Sequence, residues 1–254
     1  MKILFFGDIV GRPGREAILE NLHNLRLRYQ ADVCIANCEN AAGGFGITRE
    51  HAGTLLRAGV DLFTTGNHVW SKKEVVALME DMPILRPHNL PGRDPGTGVG
   101  FFTTDRGEKL AVINLVGRVY MDMPASSPFE TLDNILKTLD TPHILVDFHA
   151  EATSEKKALG FYADGRVSAV LGTHTHVQTA DEQILPGGTA YISDVGMCGA
   201  LHSVLGVDVE IAVQRFTSSV RRSYAVAHGA HEASAVLIET NDAGRAVRIE
   251  RIQA

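Results

Sequence analysis

The run Val167-Ser168-Ala169-Val170-Leu171-Gly172-Thr173-His174-Thr175-His176 joins a short apolar stretch to two histidines one residue apart. Its first half, Val167 to Leu171, reads as a buried strand. A strand alternates its faces, so residues two apart point the same way. If the extended geometry continues past Gly172, His174 and His176 stand side by side at a strand end. Neutral imidazole is the commonest metal ligand, and two on one side serve one ion or a pair. Taken alone, such a pair is more often two hydrogen-bonded histidines than a metal site. The rest of the chain reverses that balance.

Outward from this run, short apolar segments alternate with amphipathic ones. Strands are expected at Ile3–Phe6, Val33–Ala36, Asp61–Thr64, Leu110–Asn114, His143–Asp147, Val167–Leu171 and Thr189–Ile192, then at Ala233–Ile238 and Val247–Arg251. Between them Arg15–Tyr29, Thr48–Ala58, Lys72–Met79, Pro128–Leu139 and Ser154–Tyr162 carry apolar residues at helical spacing. Thr48 is placed to cap its helix, and Ser71 with Glu74 has the capping-box spacing. The alternation predicts an α/β layered fold with helices covering sheet faces. The last two strands, joined by Asn241-Asp242-Ala243-Gly244, predict an antiparallel hairpin. A mixed sheet, or two stacked sheets between helices, therefore fits better than a purely parallel one. No repeat, linker or low-complexity segment interrupts the chain, and residues 1–254 read as one domain.

Ligand-type residues collect at the ends of these strands. The first ends Gly7-Asp8, the second Asn37-Cys38-Glu39-Asn40, and the third Thr65-Gly66-Asn67-His68. A later one ends Asp147-Phe148-His149-Ala150-Glu151, and then come His174 and His176. Each has an ordinary explanation alone: Asp8 as a helix cap, Asn67 in a left-handed turn, His149 as a hydrogen-bonded core histidine. Ligands of open α/β sheets, however, gather at the carboxyl ends of strands. Together these ends predict one polar crater and a two-metal hydrolytic site. Such a site needs a bridging carboxylate with oxygen and imidazole ligands, and it activates a water near neutral pH. Glu39, on the strand end expected beside Asp8, is the bridge. Asn40, Asn67, His149, His174 and His176 add ligands without adding charge, so the site stays positive enough to attract a phosphate ester.

Composition narrows the classes. The 254 residues are 44% hydrophobic and 21% charged, the balance of a soluble globular protein. The formal net charge is −6 and there is no basic run, so nothing marks a track for long nucleic acid, although a nucleotide fits. Arg12, Arg15 and Lys72 are the cations that a crater rim would recruit. No apolar run approaches the roughly 20 residues of a membrane span. Three cysteines, Cys34, Cys38 and Cys198, in no framework spacing, and a first strand at Lys2–Phe6 without a signal-peptide layout, predict a cytoplasmic protein. No feature marks an interface, so a monomer and a homo-oligomer both stay open.

The order Gly7-Asp8-Ile9-Val10, Cys38-Glu39-Asn40, Gly66-Asn67-His68-Val69, His149, and Gly172-Thr173-His174-Thr175-His176 resembles that of the calcineurin-like metallophosphoesterases. Departures are Val10 in place of a metal-binding histidine, Glu39 in place of a bridging Asp, Val69 after G-N-H, and an extra Thr173. Gly7-Asp8-Ile9-Val10-Gly11-Arg12-Pro13-Gly14 and Glu39-Asn40-Ala41-Ala42-Gly43-Gly44-Phe45-Gly46-Ile47-Thr48 are similar to the YmdB-type bacterial branch over nearly the full length. The resemblance implies a four-layer α/β/β/α sandwich, a di-iron or di-manganese centre, and hydrolysis of phosphodiesters including 2′,3′-cyclic nucleotides. It implies a first metal on Asp8, Glu39, Asn40 and His176, and a second on Glu39, Asn67, His149 and His174. His68, next to a ligand, is left as general acid toward the leaving oxygen. Phosphomonoesterase activity, a metal-dependent amide hydrolase, and a metal-loaded nucleotide-binding regulator without turnover are the competing readings.

Overall fold

The computed structural model describes residues 1–220 and 222–254. Among these residues, twelve strands form two six-stranded sheets. The first sheet contains β1 (Lys2–Ile9), β2 (Val33–Asn37), β3 (Leu62–Thr64), β10 (Met197–Ala200), β11 (His231–Thr240) and β12 (Ala246–Gln253), in the order β12-β11-β10-β1-β2-β3. The second contains β4 (Val99–Thr103), β5 (Lys109–Val116), β6 (His143–His149), β7 (Ala169–Thr173), β8 (Gln183–Ile184) and β9 (Ala190–Ile192), in the order β4-β5-β6-β7-β9-β8. Both are mixed: β1, β2 and β3 run parallel while β11 runs against β1, and β4 and β8 run against an otherwise parallel set.

Alternation along each strand builds three cores. Ile3, Phe5, Val33 and Ile35 point inward and meet Val112, Leu145, Leu171 and Ile192 between the sheets. Leu4, Phe6, Cys34 and Ala36 point outward, onto Ala17, Ile18 and Leu22 of α1 (Gly11–Tyr29) and Ala52 and Leu55 of α2 (Arg49–Ala58). On the far side Ala111, Ile113, Val146 and Val170 meet Leu132 and Ile135 of α4 (Pro128–Leu136) and Leu159 of α5 (Thr153–Ala163). The four-layer α/β/β/α sandwich is the result. Central strands buried on both faces read as continuous apolar runs, which is why they were visible in the sequence.

Other elements carry weaker signals. β4 is a half-exposed edge strand containing Gly100, β8 is exposed, and β10 is Met-Cys-Gly-Ala with no β-branched residue. Pairing with β1 and β11 makes β10 a strand. α6 (Val209–Thr217) also went unanticipated. Thr48 caps α2 as expected, accepting from the His51 amide at 3.3 Å. The Ser71–Glu74 capping box does not form. Ser71 closes a 3-10 turn (Val69–Ser71), α3 (Val75–Asp81) starts later, and the Glu74 carboxylate accepts from the Arg49 amide at 3.0 Å instead.

Between β9 and β10 the chain crosses from one sheet to the other through Ser193–Gly196. Val195 N donates to Gly172 O at 2.8 Å, and Asp8 N donates to Gly196 O at 3.0 Å, so this crossing touches the ends of β7 and β1 together. A side chain at Gly172 would collide with the carbonyl of Ser193. Gly172→Ala should therefore destabilise the fold by about 1–3 kcal/mol, the range for overpacking a close contact. Urea denaturation should show a lower midpoint with an unchanged slope; an unshifted midpoint would mean that the crossing yields freely.

Candidate metal centre

The ends of β1, β2, β3, β6 and β7 open at one edge of the sandwich, and every anticipated residue lies there. Asp8, Glu39, Asn40 and His149 are buried, while Asn67, His68, His174 and His176 are half-buried. The tightest group surrounds His149 Nε2. It lies 2.9 Å from Asn67 Oδ1, 3.0 Å from His174 Nδ1 and 3.1 Å from Glu39 Oε1. Four potential ligand atoms from four strand ends converge on one point. Glu39, His149 and His174 are the cluster of His, Cys, Asp and Glu, among the described residues, whose donor atoms lie within 4.8 Å of one another.

The second group is looser. Asp8 Oδ1 lies 3.9 Å from His176 Nε2 and is buried without a hydrogen-bond partner. Asp8 does not cap a helix; its other oxygen accepts from the His174 amide at 3.0 Å. Asn40 turns its amide nitrogen to His176 Nε2 at 3.1 Å and its oxygen to His68 Nδ1 at 2.7 Å. Coordination through the Asn40 oxygen on the His176 side requires that carboxamide to reverse. The donor set fits cations: an orphaned buried carboxylate oxygen and facing ring nitrogens are what a positive ion between them satisfies.

The two histidines of the H-x-H are not presented by a continued strand. β7 stops at Thr173, and His174 (φ 102°) and His176 (φ 65°) both take left-handed backbone. Such values are strained for residues with a Cβ and persist where surroundings enforce them. Here the surroundings are a buried carboxylate: Asp194 accepts from Thr175 N at 2.9 Å, Thr175 Oγ1 at 2.8 Å, Lys156 Nζ at 2.8 Å and Gly196 N at 2.8 Å. His176 Nδ1 also bonds the carbonyl of Leu205 at 3.0 Å. The two imidazoles consequently serve different groups, His174 the first and His176 the second.

A further relay orients His149. Thr173 Oγ1 donates to Asp147 Oδ1 at 2.7 Å and so accepts from His149 Nδ1 at 2.9 Å, which turns Nε2 toward the cluster as the atom a cation would take. Burial pushes the Asp147 carboxyl up to about 6. Burial also pushes His174 down to about 3, helped by the charge of His149, so His174 is neutral. For His149 burial acts downward, but the Glu39 carboxylate outweighs it and lifts the imidazole to about 9. Glu39 in turn is held well below the usual range by His149 and His68, against its own burial. Burial raises Asp8.

Beside the cluster lies a cavity of about 300 Å³ whose lining includes Glu39, Asn40, His68, His174 and His176. His68 presents its ring there, with its amide donating to Glu39 Oε2 at 3.0 Å. Arg12, Arg15 and Lys72 are absent from the lining: Arg12 pairs with Glu16, and Arg15 bonds the Ala41 carbonyl. Among the described residues, larger depressions near His88 and along α6 hold no such donor cluster. Residues missed in the sequence are Asp194 and Lys156, while Glu151, noted at its strand end but given no role, lies 3.1 Å from His174 Nε2. Asp194 follows a strand end and was open to the same rule that found Asp8.

The profile of the family described as "YmdB-like protein" matches residues 4–252. The chain is 47% identical to the 2′,3′-cyclic-nucleotide 2′-phosphodiesterase of Bacillus subtilis (strain 168), over 99% of this chain and 96% of that protein. Its structure resembles that of a novel phosphatase from Mycoplasma pneumoniae, with a TM-score of 0.94, 36% identity, and coverage of 100% of this chain and 93% of the other. A hypothetical protein from Thermus thermophilus matches with a TM-score of 0.95 and 44% identity over 100% of this chain and 99% of that one.

A pH dependence follows from His149. Its pKa of about 9 in the metal-free fold lies above the ordinary 6.5, so this proton stabilises that fold below pH 6.5 and the stabilisation is lost as pH rises through 9. A cation taken up at His149 Nε2 must displace the proton. Titration of the metal-free protein with Mn²⁺ at pH 7, by calorimetry in buffers of differing ionisation enthalpy, should show release of about one proton from this group. Affinity should rise with pH and level off above about 9. An affinity flat from pH 6 to 9 would exclude His149 as the displaced group.

Proposed function

This chain belongs to the YmdB-like protein family, and on that premise we propose that it is a metal-dependent phosphodiesterase acting on small phosphodiesters, 2′,3′-cyclic nucleotides above all. The observation that carries the reading is the convergence of Glu39, Asn67, His174 and His149 on one point beside an open cavity that also holds His68. The activity printed for the Bacillus subtilis relative supports the substrate class. Phosphomonoesters are the second class, favoured by the phosphatase title of the mycoplasma structure.

Two cations complete the site in this reading. Asp8, Glu39, Asn40 and His176 hold the first, with the Asn40 carboxamide reversed, and Glu39, Asn67, His149 and His174 hold the second. Val10, buried where the wider superfamily has a histidine, leaves the first set rich in oxygen, which favours iron or manganese over zinc. When bound, the cations polarise the phosphoryl group and make a water nucleophilic near neutral pH. The protein's own groups do the rest. Glu39 and the neutral carboxamides and imidazoles hold the cations with little added negative charge, so the cavity attracts a phosphate ester. His68, whose ring lines the cavity next to the metal-facing groups, is the side chain placed to hand a proton to the departing ribose oxygen.

Residues 1–254 act as one domain in this reading, because both sheets contribute to the site. Its setting is cytoplasmic, consistent with three buried free cysteines. No helix among the described residues is long and apolar enough to cross a membrane. The net charge of −6 and the absence of Arg12, Arg15 and Lys72 from the cavity lining argue for a small substrate over long nucleic acid.

The direct test compares kcat/KM on a 2′,3′-cyclic nucleotide with that on a single-stranded oligonucleotide at matched salt, metal-loaded and chelated. The cyclic nucleotide should be preferred and the activity lost on chelation; faster cutting of the oligonucleotide would make the protein a nuclease instead. His68→Ala should keep both metals by elemental analysis and slow turnover by about 10²–10⁴-fold. That loss should shrink for a substrate with a good leaving group, and equal losses for good and poor leaving groups would remove the acid role.

A further inference from the structure

The cavity has a second wall that the hydrolytic chemistry does not use. Phe45, Leu205, Val207 and Tyr224 line the same cavity beside its polar groups. The rings of Phe45 and Tyr224 lie 4.6 Å apart at 59°, and Phe45 meets the edge of His68 at 4.8 Å and 80°. The Arg215 guanidinium lies 5.8 Å from the centre of the Tyr224 ring. Phe45 and Tyr224 are each half-buried, so aromatic surface is left facing a site otherwise built from carboxylate, carboxamide and imidazole.

The glycine run after Glu39 makes this wall. Gly44 has φ +91°, a conformation that side chains avoid, and a Cβ there would collide with the Tyr224 ring. Tyr224 thus rests on bare backbone, next to Phe45 and one ring away from His68. Of the four side chains in the wall only Tyr224 carries a polar atom, so the wall offers π-faces and aliphatic carbon with almost no means of reading a base edge. Aromatic faces of this kind hold a planar heterocycle whatever its sequence identity.

We propose that Phe45 and Tyr224 form a nucleobase-stacking wall, which selects a nucleoside cyclic phosphate over a cyclic phosphodiester that lacks a base. This rests on the phosphodiesterase reading and adds a specificity determinant to it. The phosphate lies toward Glu39, His68 and His174, and the base lies toward Phe45 and Tyr224. Because the wall does not read base edges, adenine, guanine, cytosine and uracil are all accepted, with the larger purines held more tightly.

The test uses the metal-loaded full chain with two substrates, adenosine 2′,3′-cyclic monophosphate and glycerol 1,2-cyclic phosphate. Tyr224→Ala should lower the ratio of kcat/KM for the nucleotide to that for the glycerol ester by about 10- to 100-fold, mostly through KM, the range for losing one stacking partner. Tyr224→Phe should keep the ratio within about twofold, since it retains the ring. An unchanged ratio in Tyr224→Ala, including equal losses on both esters, overturns the proposal. Calorimetric binding of adenosine 3′-monophosphate reads the same wall without turnover. If neither cyclic ester is cut and Tyr224→Ala still weakens that binding, the phosphodiesterase reading fails and the stacking wall stands. Unweakened binding overturns the wall itself.

Discussion

Everything at the functional edge of this molecule depends on keeping one carboxylate, Asp194, buried and paired. Asp194 and Lys156 are 1% and 2% exposed, and an ion pair so far from water is tolerated only when its remaining hydrogen-bonding capacity is filled. Asp194 receives four donors, from Lys156, Thr175 twice, and Gly196. Those donors belong to α5, the H-x-H loop and the crossing between the sheets. One buried charge therefore ties together the helix layer, the ligand-bearing loop and the passage of the chain between sheets. The same atoms hold His174 and His176 in backbone conformations that they would not adopt unaided.

Beneath the site, polar side chains also link the sheets. Asn37 donates to Asp147 at 3.1 Å, and Asn114 exchanges hydrogen bonds with the backbone of Thr65 at 2.9 and 3.0 Å. Above this seam the donor atoms assemble; below it the inter-sheet core is apolar. A buried polar network of this kind specifies one relative placement of two surfaces that apolar packing alone would allow to slide. Glu39 comes from one sheet and His149 and His174 from the other, so the accuracy of the centre is the accuracy of that docking.

Much of this was legible in the chain. The central strands were visible because burial on both faces makes them continuous apolar runs, and the ligand-type residues were visible because each sits where such a run stops. The resemblance to the YmdB-type branch implied one set of Asp8, Glu39, Asn40 and His176 and a second of Glu39, Asn67, His149 and His174. The contacts draw Glu39, Asn67, His149 and His174 around one point and leave Asp8, Asn40 and His176 in a looser group. What stayed hidden depends on tertiary context. The spacing of His174 and His176 suggested a continued strand, yet Asp194 bends the loop and sends the two rings to different neighbours. β10 has too little local preference to announce itself. Tyr224 reaches the cavity from a stretch with no periodic pattern, and its place is explained only by Gly44, some 180 residues earlier in the chain.

The order of strands in the first sheet bears on how the protein comes into being. β1 is interior, with β2 on one side and β10 and β11 on the other, and the amino group of Met1 donates to Thr240 O at 3.0 Å. β1 thus waits for the distant β10 and β11 before its backbone is fully paired. Contacts between such distant parts of a chain slow folding, because a long loop must close before any of them forms. During synthesis on the ribosome, Asp8, Glu39 and Asn67 emerge early but have no enclosed site to join. Cations in the surrounding medium therefore meet a scatter of separate weak ligands until β6 and β7 bring His149, His174 and His176 to the same edge.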